Sequence, residues 1–174
     1  VPALYFPYLV YPIDGKGRVT GLLFPHFGYS SLKGFNIGTG FFWAMGRSVD
    51  QTFYADSYST LGYGLGHELR YALDQPSFGV FRSYALKPKD GRDWDYDLDW
   101  NAMQMLPGRT RATLTLRQFS NLLFQRQYQD SLNLATTRTK RILFNAQKSV
   151  GSTQLRLFAD SQDTYFTTST RINR

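Results

Sequence analysis

Residues two apart share their character along most of this chain. In Trp94-Asp95-Tyr96-Asp97-Leu98-Asp99-Trp100-Asn101-Ala102, one side is Trp94, Tyr96, Leu98, Trp100 and Ala102. The other is Asp95, Asp97, Asp99 and Asn101. A period of two belongs to a β-strand, whose successive side chains point to opposite faces. Helical spacing would scatter the aromatic residues around an axis. Arg111 to Arg117 repeats the pattern, with Ala112, Leu114 and Leu116 opposite Arg111, Thr113, Thr115 and Arg117. Gly64 to Tyr71 sets Leu65, Leu69 and Tyr71 against Glu68 and Arg70. Turn-forming clusters separate the runs: Asp14-Gly15-Lys16-Gly17, Ser31 to Gly34, Asp74 to Ser77, Pro88 to Gly91 and Leu106-Pro107-Gly108. The pattern predicts strands over 3–11, 19–30, 35–45, 51–61, 62–73, 78–87, 94–105, 109–119, 131–147, 152–160 and a last run from 165. No amphipathic helix interrupts them, so the predicted fold class is all-β and antiparallel.

Strand length carries further information. A strand that crosses a membrane needs about 9–11 residues, whereas strands of soluble domains average about 5–6. Most of the runs meet the longer requirement. If 19–30 crosses from one side to the other, the connections alternate. Those at 46–50, 74–77, 106–108 and 148–151 lie on the starting side and are short. Those at 31–34, 60–62, 88–93 and 120–130 lie on the far side, and two are longer. Outer-membrane barrels have short periplasmic turns and longer external loops. The polar faces would then line a wet lumen. A soluble sandwich or barrel with its charged face in water satisfies the alternation equally well.

Composition narrows the choice. Aromatic residues make up 17% of the 174 positions and charged residues only 19%, which excludes a disordered chain. No run approaches the roughly 20 apolar residues of a transmembrane helix; Ala3 to Ile13, the most apolar stretch, is broken by Pro7. The net charge of +7 favours polyanions as a class and selects none of them. Cysteine is absent, which removes thiolate metal sites and disulfides from these residues. The chain opens at Val1 in an apolar run and stops at Arg174 in another strand-like run, so we expect a segment of a longer protein.

Catalytic chemistry has little to build on. His26 and His67 are the only histidines, and neither a Ser-His-Asp order nor a Gly-x-Ser-x-Gly elbow accompanies them. His67 falls on the apolar face of its strand, which suits an interface or structural role. Asp95, Asp97 and Asp99 stand about 6–7 Å apart per step along a strand, too far to hold one ion without help from other strands. They read as a polar row that needs basic neighbours. A hairpin about Leu106-Pro107-Gly108 would bring Arg111 and Arg117 to them. Arg138, Lys140 and Arg141 form the densest basic run, but no nucleic-acid motif accompanies it. We expect no enzyme activity, no metal, no cofactor and no nucleic-acid partner.

Four blocks then occur in order: Phe6-Pro7-Tyr8-Leu9-Val10-Tyr11-Pro12; Arg18-Val19-Thr20-Gly21-Leu22-Leu23-Phe24-Pro25; Asp50-Gln51-Thr52; and Gly66-His67-Glu68-Leu69-Arg70-Tyr71. Together they resemble the lipopolysaccharide-assembly outer-membrane LptD family, also called organic solvent tolerance proteins. The family pattern at the second block is Arg-x-Ser-Gly-Phe-Leu-x-Pro; Thr20 and Leu22 depart from it here. Leu61-Gly62 stands where an Arg-Gly pair is usual. The resemblance covers roughly the first 75 residues.

The resemblance implies a periplasmic β-jellyroll followed by a large antiparallel barrel in the outer membrane. Residues 1–13 would be the last jellyroll strand and the connection, in the periplasm. Residues 19–174 would be about ten N-terminal strands of an incomplete barrel. It implies transport of lipopolysaccharide through the lumen and out through a lateral gate between first and last strands. Pro7, Pro12 and Pro25 match the gate and hinge, since proline cannot donate to a sheet ladder; Pro25 would otherwise mark an edge strand or a bulge. Glu68, Arg70, Asp95, Asp97, Asp99, Arg111 and Arg117 would face the lumen. Lys33, Lys87, Lys89 and Arg92, in far-side loops, would meet lipopolysaccharide phosphates. Implied partners are a lipoprotein plug (LptE-like) and a periplasmic bridge protein (LptA-like) joined to the jellyroll by β-augmentation. The rival readings are a general porin and a soluble β-barrel binding lipid or glycan.

Overall fold

The computed structural model describes residues 18–74, 77–120, 139–165 and 171–173. Ten strands form one sheet in sequence order: β1 (Gly21–Ser30), β2 (Gly34–Ala44), β3 (Val49–Tyr58), β4 (Gly62–Asp74), β5 (Ser77–Pro88), β6 (Asp95–Leu106), β7 (Thr110–Phe119), β8 (Thr139–Val150), β9 (Thr153–Tyr165) and β10 (Arg171–Asn173). Every neighbouring pair is antiparallel, so the sheet is a continuous meander. Among the described residues there is no helix, and β1 does not meet β10. The all-β expectation holds. The predicted ends hold within a few residues for β1 to β7. β8 runs to Val150, beyond the expected 147, and β9 to Tyr165, beyond 160. β8 ends at the turn made by Gly151, which has φ +59°, where Val150 pairs with Thr153. The expected strand at 3–11 and the start of the expected 131–147 strand lie outside the described residues.

Nine of the strands have 10 to 13 residues. Among the described residues no second layer packs on them. A soluble sheet hides its apolar face against another layer; here that face is open. Phe35, Ile37, Phe41, Trp43, Leu65 and Trp100 are all exposed on it. Register places Phe53 against His67, His67 against Ser83, and Ser83 against Leu98 along the same side.

The opposite face holds nearly all buried side chains, among them Asp50, Thr52, Tyr58, Leu86, Asp95, Asp97, Arg117 and Phe119. A single sheet buries side chains on the side toward which it curls, so this is the inner face. Tyr58 and Leu86 pack with Leu61 and Tyr84 as its small apolar cluster. Glycines make room for it. A Cβ on Gly64 would collide with the Tyr84 ring, and one on Gly66 would press on the rings of Tyr54 and Tyr84. The inner face is not uniformly polar: Phe78 pairs with Met103, and Val80 with Asn101, toward the β5–β6 end away from the 89–94 turn.

Candidate functional site: a charge-paired inner wall beside a bulged edge

Ion pairs cross the inner face from strand to strand. Arg18 donates to Asp50 at 2.7 Å, and Arg70 donates to the other Asp50 oxygen at 2.7 Å. Arg70 also lies 3.4 Å from Glu68, which accepts from Arg82 at 2.6 Å. These contacts link the start of β1 to β3, β4 and β5. Asp50 is the deepest member, its side chain only 2% exposed. On β6, Asp97 accepts a hydrogen bond from Arg117 at 3.1 Å, its other oxygen lies 3.0 Å from the second terminal nitrogen, and Asp99 is 3.7 Å from the same guanidinium. A forked guanidinium–carboxylate pair of this kind fixes geometry as well as charge. Arg141 forks onto Asp160 at 3.2 and 3.0 Å between β8 and β9.

The hairpin at 107–109 therefore brings Arg117 to the aspartate row. It leaves Arg111 elsewhere. Leu106 pairs with Thr110, so Arg111 falls opposite Met105 and donates to the Met103 sulfur at 3.1 Å. Asp95 takes a different partner, accepting from Ser120 Oγ at 2.9 Å. Among the described residues no cluster of histidine and acidic side chains is arranged to hold a metal ion.

Three inner-face groups escaped the sequence reading. Tyr84 donates to Asp56 at 2.9 Å and its hydroxyl lies 3.2 Å from that of Tyr58. His26 Nε2 approaches the other Asp56 oxygen at 3.6 Å. The alternate glycines at 62, 64 and 66 were the available signal, Gly62 facing Tyr58 and Gly66 facing Tyr54 and Tyr84. Arg82 and Asp50 were also passed over; Arg82 is the direct ladder partner of Glu68 and Asp50 that of Arg70.

On the outer face His67 stacks on Phe53, with centroids 4.9 Å apart, and hydrogen-bonds Gln51 at 3.0 Å. An imidazole engaged in this way on an apolar face is a structural element.

Pro25 lies in β1, the edge of the described sheet. The β1–β2 register slips between Leu23 and His26: Leu23 pairs with Gly40 and His26 with Gly38. Three residues of β1 thus span two of β2, so Phe24-Pro25 makes a β-bulge. Proline lacks the N–H that a regular ladder would use there. The slip also places Leu23 and His26, which differ in parity, on one face. Pro7 and Pro12 lie outside the described residues.

The turns at 31–33, 59–61 and 89–94 share one end of the sheet. Lys33 Nζ sits 5.9 Å from the Tyr58 ring centroid. Lys89 donates to the Ser59 carbonyl at 2.5 Å and Lys87 to the Arg92 carbonyl at 2.8 Å. Arg92 donates to Asp90 at 2.6 Å, and this hydrogen bond holds the exposed Asp90 carboxyl below the usual carboxylate range. All four expected loop cations thus come to the same rim. Lys140, in contrast, lies 5.1 Å from the Phe119 ring and 5.3 Å from that of Tyr165; Arg138 lies outside the described residues.

Comparison with known proteins bears on the first half of the chain. A family model described as LptD protein matches residues 1–82. The LPS-assembly protein LptD of Legionella pneumophila (strain Paris) is 38% identical over 89 residues, which are 51% of this chain and 10% of that protein. That of Shewanella frigidimarina is 36% identical over 81 residues, 47% of this chain and 10% of its own length. That of Xanthomonas campestris pv. campestris (strain 8004) is 40% identical over 74 residues, 42% and 9% respectively. The chain matches about a tenth of the length of these relatives. The resemblance read from the four blocks is borne out as a similarity: residues 1–82, from the proline-rich opening into β5, match the LptD family model.

Proposed function

We propose that the chain is part of the wall of an outer-membrane β-barrel that delivers lipopolysaccharide to the outer leaflet. One observation carries this reading. Among the described residues, a single layer of long strands has an apolar outer face that no other element covers, and an inner face of matched ion pairs. In lipid, only helices and closed barrels satisfy every backbone group. Further strands would have to close this sheet. A soluble domain would leave Phe41, Trp43, Leu65 and Trp100 in water. The matched relatives are named for LPS assembly, and the family model that matches residues 1–82 takes in β1 to β4.

In this reading the inner wall holds the sugar portion of the lipid, and the bulged β1 is one lip of a lateral gate. Pro25 keeps that lip under-paired. Pro7 and Pro12 form the approach from a periplasmic jellyroll, to which residues 1–13 belong. Glu68, Arg70, Asp95, Asp97, Asp99, Arg111 and Arg117 line the lumen. Lys33, Lys87, Lys89 and Arg92 meet phosphates at the external rim. The partners are a plug lipoprotein in the lumen and a periplasmic bridge protein on the jellyroll edge. The work is transport, with no bond made or broken and no cofactor.

Site-directed labels test the membrane placement. Single cysteines with spin labels at Leu114 and Leu116 are expected to collide with lipid-soluble oxygen. Those at Thr113 and Thr115 are expected to respond to a water-soluble nickel chelate. The reverse pattern would turn the wall inside out and end the proposal.

Pro25→Ala tests the gate. It returns one N–H donor to β1, and one ladder hydrogen bond is worth about 1 kcal/mol. Newly made lipopolysaccharide is then expected to reach the cell surface roughly fivefold more slowly, with barrel levels unchanged. Wild-type delivery in this variant would remove Pro25 from the gate.

A further inference from the structure

The outer face of β3 to β6 carries a groove of about 360 Å³ that the transport route leaves unused. Phe53, Leu65, Tyr96 and Leu98 rise along it, while Ser83 and Ala85 lie between them. The register explains the hollow. Leu65, Ala85 and Tyr96 form one cross-strand row, and His67, Ser83 and Leu98 the next. In both rows the β5 residue is the small one, so the trough follows β5. The lining is overwhelmingly apolar.

The row above is chemically different. Lys87 pairs with Tyr63, and Trp94 meets Tyr63 edge to face with centroids 5.9 Å apart. A cation between two amphipathic aromatics, one row beyond an apolar trough, has the layout of a membrane interface. Lys87 and Lys89 each spend a hydrogen bond on a backbone carbonyl. An ammonium has three donors and keeps its charge while doing so. Residues 87–93 hold Lys87, Lys89 and Arg92 against Asp90 and Asp93, and Lys33 in the neighbouring turn adds a further cation. The rim is net positive directly above a greasy slot.

We propose that this groove seats one acyl chain of a phosphate-bearing lipid, lipid A of the outer leaflet, whose phosphate is held by Lys87 and Lys89. The inference rests on the membrane-wall reading above. A net positive rim favours an anionic headgroup over a zwitterionic one, whose own ammonium opposes Lys87. The seat lies on the outside of the wall, apart from the lumen and from β1. It would hold a resident lipid against the barrel rather than cargo in transit.

The test uses the full-length parent protein in nanodiscs of mixed lipid A and phosphatidylethanolamine, followed by a detergent wash and native mass spectrometry. The wild type is expected to retain one lipid A. Ala85→Trp fills the trough and should lower that retention about tenfold. Lys87→Gln removes one interfacial charge and should lower it roughly fivefold. Ser83→Leu replaces Ala85→Trp if the latter loses the heat-modifiable mobility of a folded barrel. Retention undiminished by trough filling, or phosphatidylethanolamine held as firmly as lipid A, overturns the seat. A protein that enters nanodiscs and exports normally but retains no lipid A loses the seat alone. A protein that does not enter the bilayer loses the membrane reading as well.

Discussion

Arg117→Ala should cost about 3 kcal/mol of stability, because it strips a buried carboxylate of its counter-ion. The Asp97 side chain is 6% exposed and that of Arg117 10%. Without the guanidinium, Asp97 keeps the cost of leaving water, and Asp99 loses its nearest cation. The check is the midpoint of unfolding in urea. Arg141→Ala is the matched control. Its fork onto Asp160 has similar distances, but the two side chains are 41% and 30% exposed, and such pairs contribute about 1 kcal/mol or less. Asp97→Ala combined with Arg117→Ala should cost less than the two single changes added together, since the pair acts as one unit. Equal effects at Arg117 and Arg141 would mean that the inner wall is wet throughout.

Gly62→Ala should be comparably damaging, again about 3 kcal/mol, from backbone strain and a clash that cannot relax. Gly62 has φ +134°, a region closed to residues with a side chain. Its Cβ would also strike the Lys87 carbonyl, with the Pro88 backbone close behind. Both obstacles are main chain of β5, paired with β4 at this row, so a rotamer change cannot clear them. The expected result is loss of heat-modifiable mobility in a large fraction of the protein. Gly46→Ala, with open space around the new methyl group, should be neutral. A neutral Gly62→Ala would mean that the β4–β5 register slips easily at its upper end.

Much of this was legible in the residues. The period of two gave the strands. The Asp95-Asp97-Asp99 row announced its own face. The Leu106-Pro107-Gly108 turn pointed Arg117 back toward that row, because a hairpin's register follows from its loop. Arg111 was misplaced near the aspartates for the same reason: a three-residue turn sets it opposite Met105, six positions from Asp99. Pro25 could be read as an edge or a bulge, and it is both. What stayed hidden is non-local. Asp50 meets Arg18 across 32 residues and Arg70 across 20. The Asp50–Arg70 contact needs the β3–β4 register, and the Arg18–Asp50 contact needs the β1–β2 and β2–β3 registers together, the first of which contains a bulge that shifts the count. The groove along β5 was hidden too, because a hollow is a property of three adjacent strands and alternation reports one at a time.

The meander order has a kinetic consequence. Each strand finds its partner in the chain next to it, so the closures from β1 to β7 and from β8 to β9 join residues separated by short connections and cost little loop entropy, while residues 120–138 make a longer link between β7 and β8. A wall of this kind can be laid down one hairpin at a time, each arriving stave covering the raw edge of the one before. Only the two outermost staves then wait for partners from far away in the chain. For the proposed barrel, the slow step should be joining its first and last strands, not growing the part between them.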